Sequence, residues 1–100
     1  MIGAVYAKTD REARIMLLEI TKRYLDCNIE MRESHNYHHC MEIKFTNGDA
    51  WYAYQYNGSN SCGRRFNVIY IDNQLSEDEK LLLKTCATLP PPYTRITYFN

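Results

Sequence analysis

The run Phe66-Asn67-Val68-Ile69-Tyr70-Ile71-Asp72-Asn73 constrains the fold more than any other stretch. Its middle is apolar at consecutive positions, so neither face of an extended segment there can sit in water. Such a run fits a strand buried on both faces of a parallel sheet. It stops on an acidic residue and is followed by Leu75 and then by Ser76, which starts a helix. Glu79 stands three residues after Ser76, the spacing of a capping box. Leu82, Leu83, Cys86 and Leu89 supply one apolar face, and Pro90-Pro91-Pro92 ends the pattern, because proline offers no amide and clashes with the preceding turn. The spacing predicts a helix over about 76–89.

The flanking segments read as further α/β pieces. Residues 2–8 predict a strand. Thr9 and Glu12 form a second capping-box pattern, and Ala13, Met16, Leu17, Ile20 and Tyr24 recur at helical spacing over about 10–26. Ile29 to Arg32 is a candidate short strand, and Ser34 to His39 reads as polar and turn-like. Met41 to Tyr56 is a hairpin: Met41, Ile43 and Phe45 alternate with polar residues, Asn47-Gly48 turns the chain, and Trp51, Ala53 and Gln55 alternate with Tyr52, Tyr54 and Tyr56. Asn57 to Gly63 has loop composition. Residues 94–99 predict a last strand. The expectation is one α/β domain over 1–100. It has a short parallel sheet (2–8, 66–71 and 94–99), the hairpin 41–56, and two helices packed on the sheet.

Composition narrows the function classes. Twelve basic and twelve acidic residues cancel, so no bulk field argues for nucleic acid or an anionic membrane, and a nucleic-acid role stays open only through a local patch. No apolar stretch reaches the roughly 18 residues needed to span a bilayer, and the N-terminus lacks a signal-peptide pattern. The expected setting is the cytoplasm, with Cys27, Cys40, Cys62 and Cys86 as thiols.

In order and spacing, these pieces resemble the middle of the ATPase domain of phage large terminases. The strand and helix over Ala4 to Leu25, the hairpin Ile43 to Asp49, Gly63-Arg64-Arg65, the strand Val68 to Asn73, the Ser76 helix and Arg95 to Phe99 follow the family's succession. In that family the central strand is the Walker-B strand and its aspartate holds magnesium. The resemblance implies that Asp72 and Asn73 are a Walker-B-like remnant. It also implies that the 66–71 strand lies between 2–8 and 94–99, and that 94–99 is left as an edge where the family has its phosphate-loop strand. The chain departs from the family where catalysis is concerned. No G-x-x-x-x-G-K-[ST] pattern occurs among its residues, and Asn73 stands where the family's second acid is expected. Phosphoryl transfer depends almost entirely on positioning and charge stabilisation, so the expectation is no enzyme and no cofactor.

Several groups are candidates for binding. Tyr52, Tyr54 and Tyr56 share a face, either as cross-strand packing or as a recognition stripe. Arg64 and Arg65 are either a solvated pair or a contact for phosphate or an acidic partner. Arg95 and Tyr98 lie on the expected edge, which suggests homodimerisation or strand addition through 94–99. His35, His38, His39 and Cys40 carry zinc-type donors but are nearly consecutive, so a polar loop is the plainer reading and no metal is expected. Asp72 with Glu42 and Asp49 would suit a metal-dependent nuclease only if the three converged. The leading functional expectation is a non-catalytic, phage- or prophage-type protein that binds another protein. It would act as a host-defence inhibitor such as an anti-CRISPR, or as a packaging accessory. The alternative is a nucleotide- or nucleic-acid-binding accessory contributing Asp72 and Arg64 to a composite site in trans.

Overall fold

The computed structural model describes residues 1–38, 40–58, 64–90 and 92–100. Eight elements follow in order: β1 (Ile2–Ala7), α1 (Asp10–Asp26), β2 (Met31–Asn36), β3 (Cys40–Phe45), β4 (Ala50–Gln55), β5 (Val68–Asp72), α2 (Glu77–Cys86) and β6 (Arg95–Phe99). They form a six-stranded mixed sheet in the order β2-β3-β4-β1-β5-β6. β1 pairs in parallel with both β4 and β5, and β5 pairs in parallel with β6. The β2-β3-β4 part is antiparallel.

The apolar run lies where its composition requires. Val68, Ile69, Ile71 and Asp72 of β5 are buried between β1 and β6. Side chains alternate across a strand, so β5 feeds two cores. Val68 joins Val5, Ala7, Leu17, Ile43, Phe45, Trp51 and Ala53 under α1. Ile69 and Ile71 join Ala4, Tyr6, Phe66 and Leu83 on the α2 side. Gly3 sits opposite Trp51 in the β1-β4 register. A Cβ at Gly3 would lie 2.6 Å from the indole ring, so only glycine lets that ring lie flat on the strand.

Both helices start as their sequences predict, by two versions of one device. At α2, Ser76 Oγ accepts from the Glu79 amide, and Glu79 Oε1 accepts from the Ser76 amide, the full reciprocal box. At α1, Thr9 Oγ1 accepts from the Glu12 amide, but Glu12 takes the Thr9 hydroxyl at 2.9 Å instead of its amide. α2 is shorter than the predicted 76–89. Its C-cap is Ala87, whose carbonyl accepts from the Phe66 amide, and Thr88 bridges to Phe66. Pairing with the segment that precedes β5 takes over the backbone groups that a longer helix would have used.

Two other expectations need correction. Ser34, His35 and Asn36 are strand, not turn: they pair with Ile43, Glu42 and Met41 of β3. Their polarity fits because β2 is an edge strand and mostly exposed. The hairpin turn uses positive φ at Gly48 alone (95°), and Asn47 folds its side-chain oxygen onto the Asp49 amide at 3.0 Å. Among the described residues no helix is long and apolar enough to cross a membrane.

Candidate functional site

Asp72 ends β5 at the carboxyl edge of the parallel strands, where open α/β sheets place ligands. Here both carboxylate oxygens are occupied by the chain itself. Oδ2 accepts from the Lys8 amide at 3.0 Å and Oδ1 accepts from the Gln74 amide at 2.9 Å. The residue is fully buried. It ties the end of β1 to the turn that leads into α2, a side-chain capping role. Asn73 points its side-chain oxygen toward Lys80 Nζ at 3.5 Å. The Gln74 side-chain amide donates to Glu12 of α1, so the turn is also fastened to the first helix.

The carboxylates that a nuclease reading would require are dispersed. Asp49 accepts from the Tyr24 hydroxyl at 2.6 Å and lies 3.4 Å from the N-terminal ammonium. Glu42 faces the opposite side of the sheet from Asp72: it stands opposite Tyr52 across β3 and β4, whereas Asp72 alternates in phase with Val68 in the α1-side core. Asp72 and Arg64 are likewise on opposite faces, because Arg64 lies over the Tyr52 ring. The structure therefore does not bring together the two residues of the composite-site reading.

Tyr52, Tyr54 and Tyr56 share the α2-side face, and each is half-buried. Tyr54 stacks on Tyr6 with centroids 5.0 Å apart, and Tyr52 lies 6.3 Å from Phe66 and 6.2 Å from Tyr54. Their inner edges belong to the core, while their outer parts remain accessible. The Arg64 guanidinium sits 4.6 Å from the Tyr52 centroid. Burial, then the Glu42 carboxylate, pushes the Tyr52 hydroxyl pKa upward, and Tyr52 raises that of Arg64. Burial pushes Tyr54 up to about 12. Burial and then Glu42 also push the Cys40 thiol upward, so this thiol is held as a neutral group. The face combines aromatic rings, one guanidinium and one carboxylate. Sequence alternation supplied the tyrosines but missed Glu42, although Glu42 shares their phase.

The remaining candidates separate into different jobs. Arg65 donates to the carbonyl oxygens of Thr85 and Thr88. It caps the C-terminus of α2, where a cation is favoured, instead of serving as a free contact. His35 stacks on Tyr37 and lies 3.7 Å from Glu33, whereas His38 lines a recess of about 320 Å³ with Asp10, Gln55 and Asn57. His39 lies outside the described residues. Among the described residues no three metal-type ligands converge. Tyr98 is held between Lys80 and Lys84, whose Nζ atoms are 5.7 and 5.4 Å from its ring centre. Arg95 is exposed at the start of β6 and makes no ion pair among the described residues.

The strand order and pairing define an α/β fold that is also found in a phage large terminase. A large terminase from a thermophilic bacteriophage has a region that superposes on this chain with a TM-score of 0.64, at 15% identity, covering 97% of this chain and 25% of that one. The same terminase in complex with ADP gives a TM-score of 0.67 at 13% identity, covering 99% of this chain and 25% of the other. The chain thus has a terminase-like fold and spans about a quarter of the length of the terminases it matches. No family model and no curated protein matches the sequence.

Proposed function

We propose that this chain is a non-catalytic, phage-type binding module that keeps the middle of a terminase-like ATPase sheet and uses it to hold another protein. The observation that carries this reading is the state of Asp72. Its two oxygens are bonded to the amides of Lys8 and Gln74, and the residue is fully buried, so the carboxylate is turned into the chain's own backbone and away from solvent, where a magnesium ion would approach. The lack of a G-x-x-x-x-G-K-[ST] pattern among these residues and the presence of Asn73 agree with it. The contact surface we assign is Tyr52, Tyr54, Tyr56 and Arg64. Tyrosine and arginine are the residues that most often anchor protein interfaces, and Arg64 calls for a partner surface with an acidic residue near its centre. The partner classes are a host-defence nuclease, inhibited as by an anti-CRISPR, or a component of the packaging machinery.

Calorimetry with ATP and magnesium tests the first half. The expected result is no binding heat and no thermal shift, and saturable binding would overturn the reading. The second half is tested with a purified defence nuclease or packaging component bound by the chain. Tyr56→Ser and Arg64→Glu should each weaken that complex by about 2 kcal/mol, Arg64→Glu with little change in melting temperature and Tyr56→Ser with a modest loss, because its ring also packs on the core. Wild-type affinity in both variants would remove the tyrosine face from the interface.

A further inference from the structure

We infer that β6 is a homodimer interface, with two copies pairing antiparallel about a two-fold axis at Thr97. This surface is distinct from the tyrosine face and shares no residue with it. The Arg95 amide donates to the Asn67 carbonyl, and the Phe99 carbonyl accepts from the Asn73 amide, both at 2.9 Å. Residues 95, 97 and 99 therefore aim their main-chain groups at β5, and Ile96 and Tyr98 aim theirs outward. β6 is the last strand of the sheet. It contains no proline and no bulge, and its single charge is at its first residue. The usual protections of an edge strand are thus missing along most of its length.

The outward groups fix the register. A second β6 can exchange bonds only where its own residues 96 and 98 face residues 96 and 98 of the first. Centring on Ile96 would pair Tyr98 with residue 94, and centring on Tyr98 would pair Ile96 with residue 100, both outside β6. Centring on Thr97 sets Ile96 against Tyr98 of the other copy in both directions, so every outward amide and carbonyl of the two residues is bonded. All five residues of each β6 are then paired.

The same register decides what meets on the α1 side. Thr97 faces Thr97, and Arg95 of one copy faces Phe99 of the other. Phe99 lines a groove of about 180 Å³ with Glu12, Ile15, Met16, Glu19 and Asn100. Ile15 is 48% exposed, so the groove offers apolar wall as well as two carboxylates. Glu12 already accepts from Thr9 and Gln74, which leaves Glu19 as the open acid. An arginine suits this groove, with its methylenes on Phe99 and Ile15 and its guanidinium at the acid. Arg95 has no ion-pair partner within its own chain among the described residues. Two-fold symmetry makes the contact twice. Charge complementarity therefore selects a second copy as the occupant over an unrelated strand.

Sedimentation equilibrium over a concentration series should give twice the 11.9 kDa chain mass at the upper end. Thr97 faces its own copy in a pair without mutual hydrogen bonds, where Cα atoms lie about 4.5 Å apart, within disulfide reach. Thr97→Cys should therefore cross-link under mild oxidation, at position 97 by mass spectrometry and above the wild-type background, and Ile96→Cys should not. Arg95→Glu should raise the dimer dissociation constant at least about tenfold, and adding Glu19→Arg should restore it. Arg64→Glu should leave the dimer intact, which separates this test from that of the tyrosine face. A monomer at every concentration, a cross-link preference for position 96, or no rescue by the charge swap would each overturn the inference. So would a dimer that Arg95→Glu leaves unchanged.

Discussion

Single side chains set the balance between chemistry and architecture here, and Asp72 is the clearest case. At the end of a buried strand it has the position of a magnesium ligand, yet its oxygens hold two amides of its own chain. Asp72→Ala should therefore behave as a stability mutant. Losing hydrogen bonds to a charged acceptor costs about 1.5–3 kcal/mol each, so chemical denaturation should show a loss of at least about 2 kcal/mol. Tyr24 is a second structural side chain. Its hydroxyl accepts from Trp51 Nε1 at 2.9 Å and donates to Asp49 at 2.6 Å, and its ring stacks 3.9 Å from Phe45. Burial, then the bond to Asp49, raises its pKa from 10.0 to about 12. A raised pKa means that the folded state favours the neutral phenol. This contribution is complete below pH 10 and is lost as pH rises toward 12. Denaturant midpoints should fall across that window, and Tyr24→Phe should make the fall shallower while lowering stability at neutral pH.

At the level of elements, the strands differ in how many sides are protected. β1 and β5 each have a bonded neighbour on both sides, while β2 and β6 are edges. Amide exchange follows local opening, so the slowest amides should fall in Val5 to Ala7 and Ile69 to Ile71, with β2 among the fastest strands. Exchange as slow in β2 as in β1 would contradict this order. Much of this level is legible in the sequence. The capping residues Thr9 and Ser76, the hairpin turn at Asn47-Gly48 and the apolar run of β5 each act through neighbours a few residues away. β2 is legible only at its start, where Met31 and Arg32 fall in the candidate strand 29–32; Ser34, His35 and Asn36 become strand only through bonds to β3. The end of α2 is not legible, because pairing between Phe66 and the Ala87–Thr88 segment overrides a helical pattern that continues to Leu89.

The whole molecule is a sheet with helices on both faces, and the sharing of its residues between faces decides which candidates can cooperate. Asp72 and Arg64 are eight residues apart in the sequence but are separated by the thickness of the sheet. Arg64 and Tyr52 are twelve apart and lie in contact. Arg65, the neighbour of Arg64, turns instead to the C-terminus of α2. Such assignments depend on which strands lie side by side, and a strand's own alternation gives only the phase.

The sequence by itself determined the elements apart from most of β2, most of their boundaries, the α/β class and the burial of the strand at Val68 to Asp72. These follow from local chemistry: hydrophobic period, caps, turn residues and proline stops. Its likeness to the terminase succession also placed that strand between 2–8 and 94–99, as observed. Only the tertiary structure decided that the hairpin joins the sheet through a parallel β1-β4 pairing and that Asp72 is consumed by backbone amides. It likewise decided that the tyrosines are shared between core and surface. The physical reason is that a hydrogen bond or a ring contact between residues 64 positions apart, as between Lys8 and Asp72, leaves no periodic trace in the chain. It exists only once the strands are brought side by side.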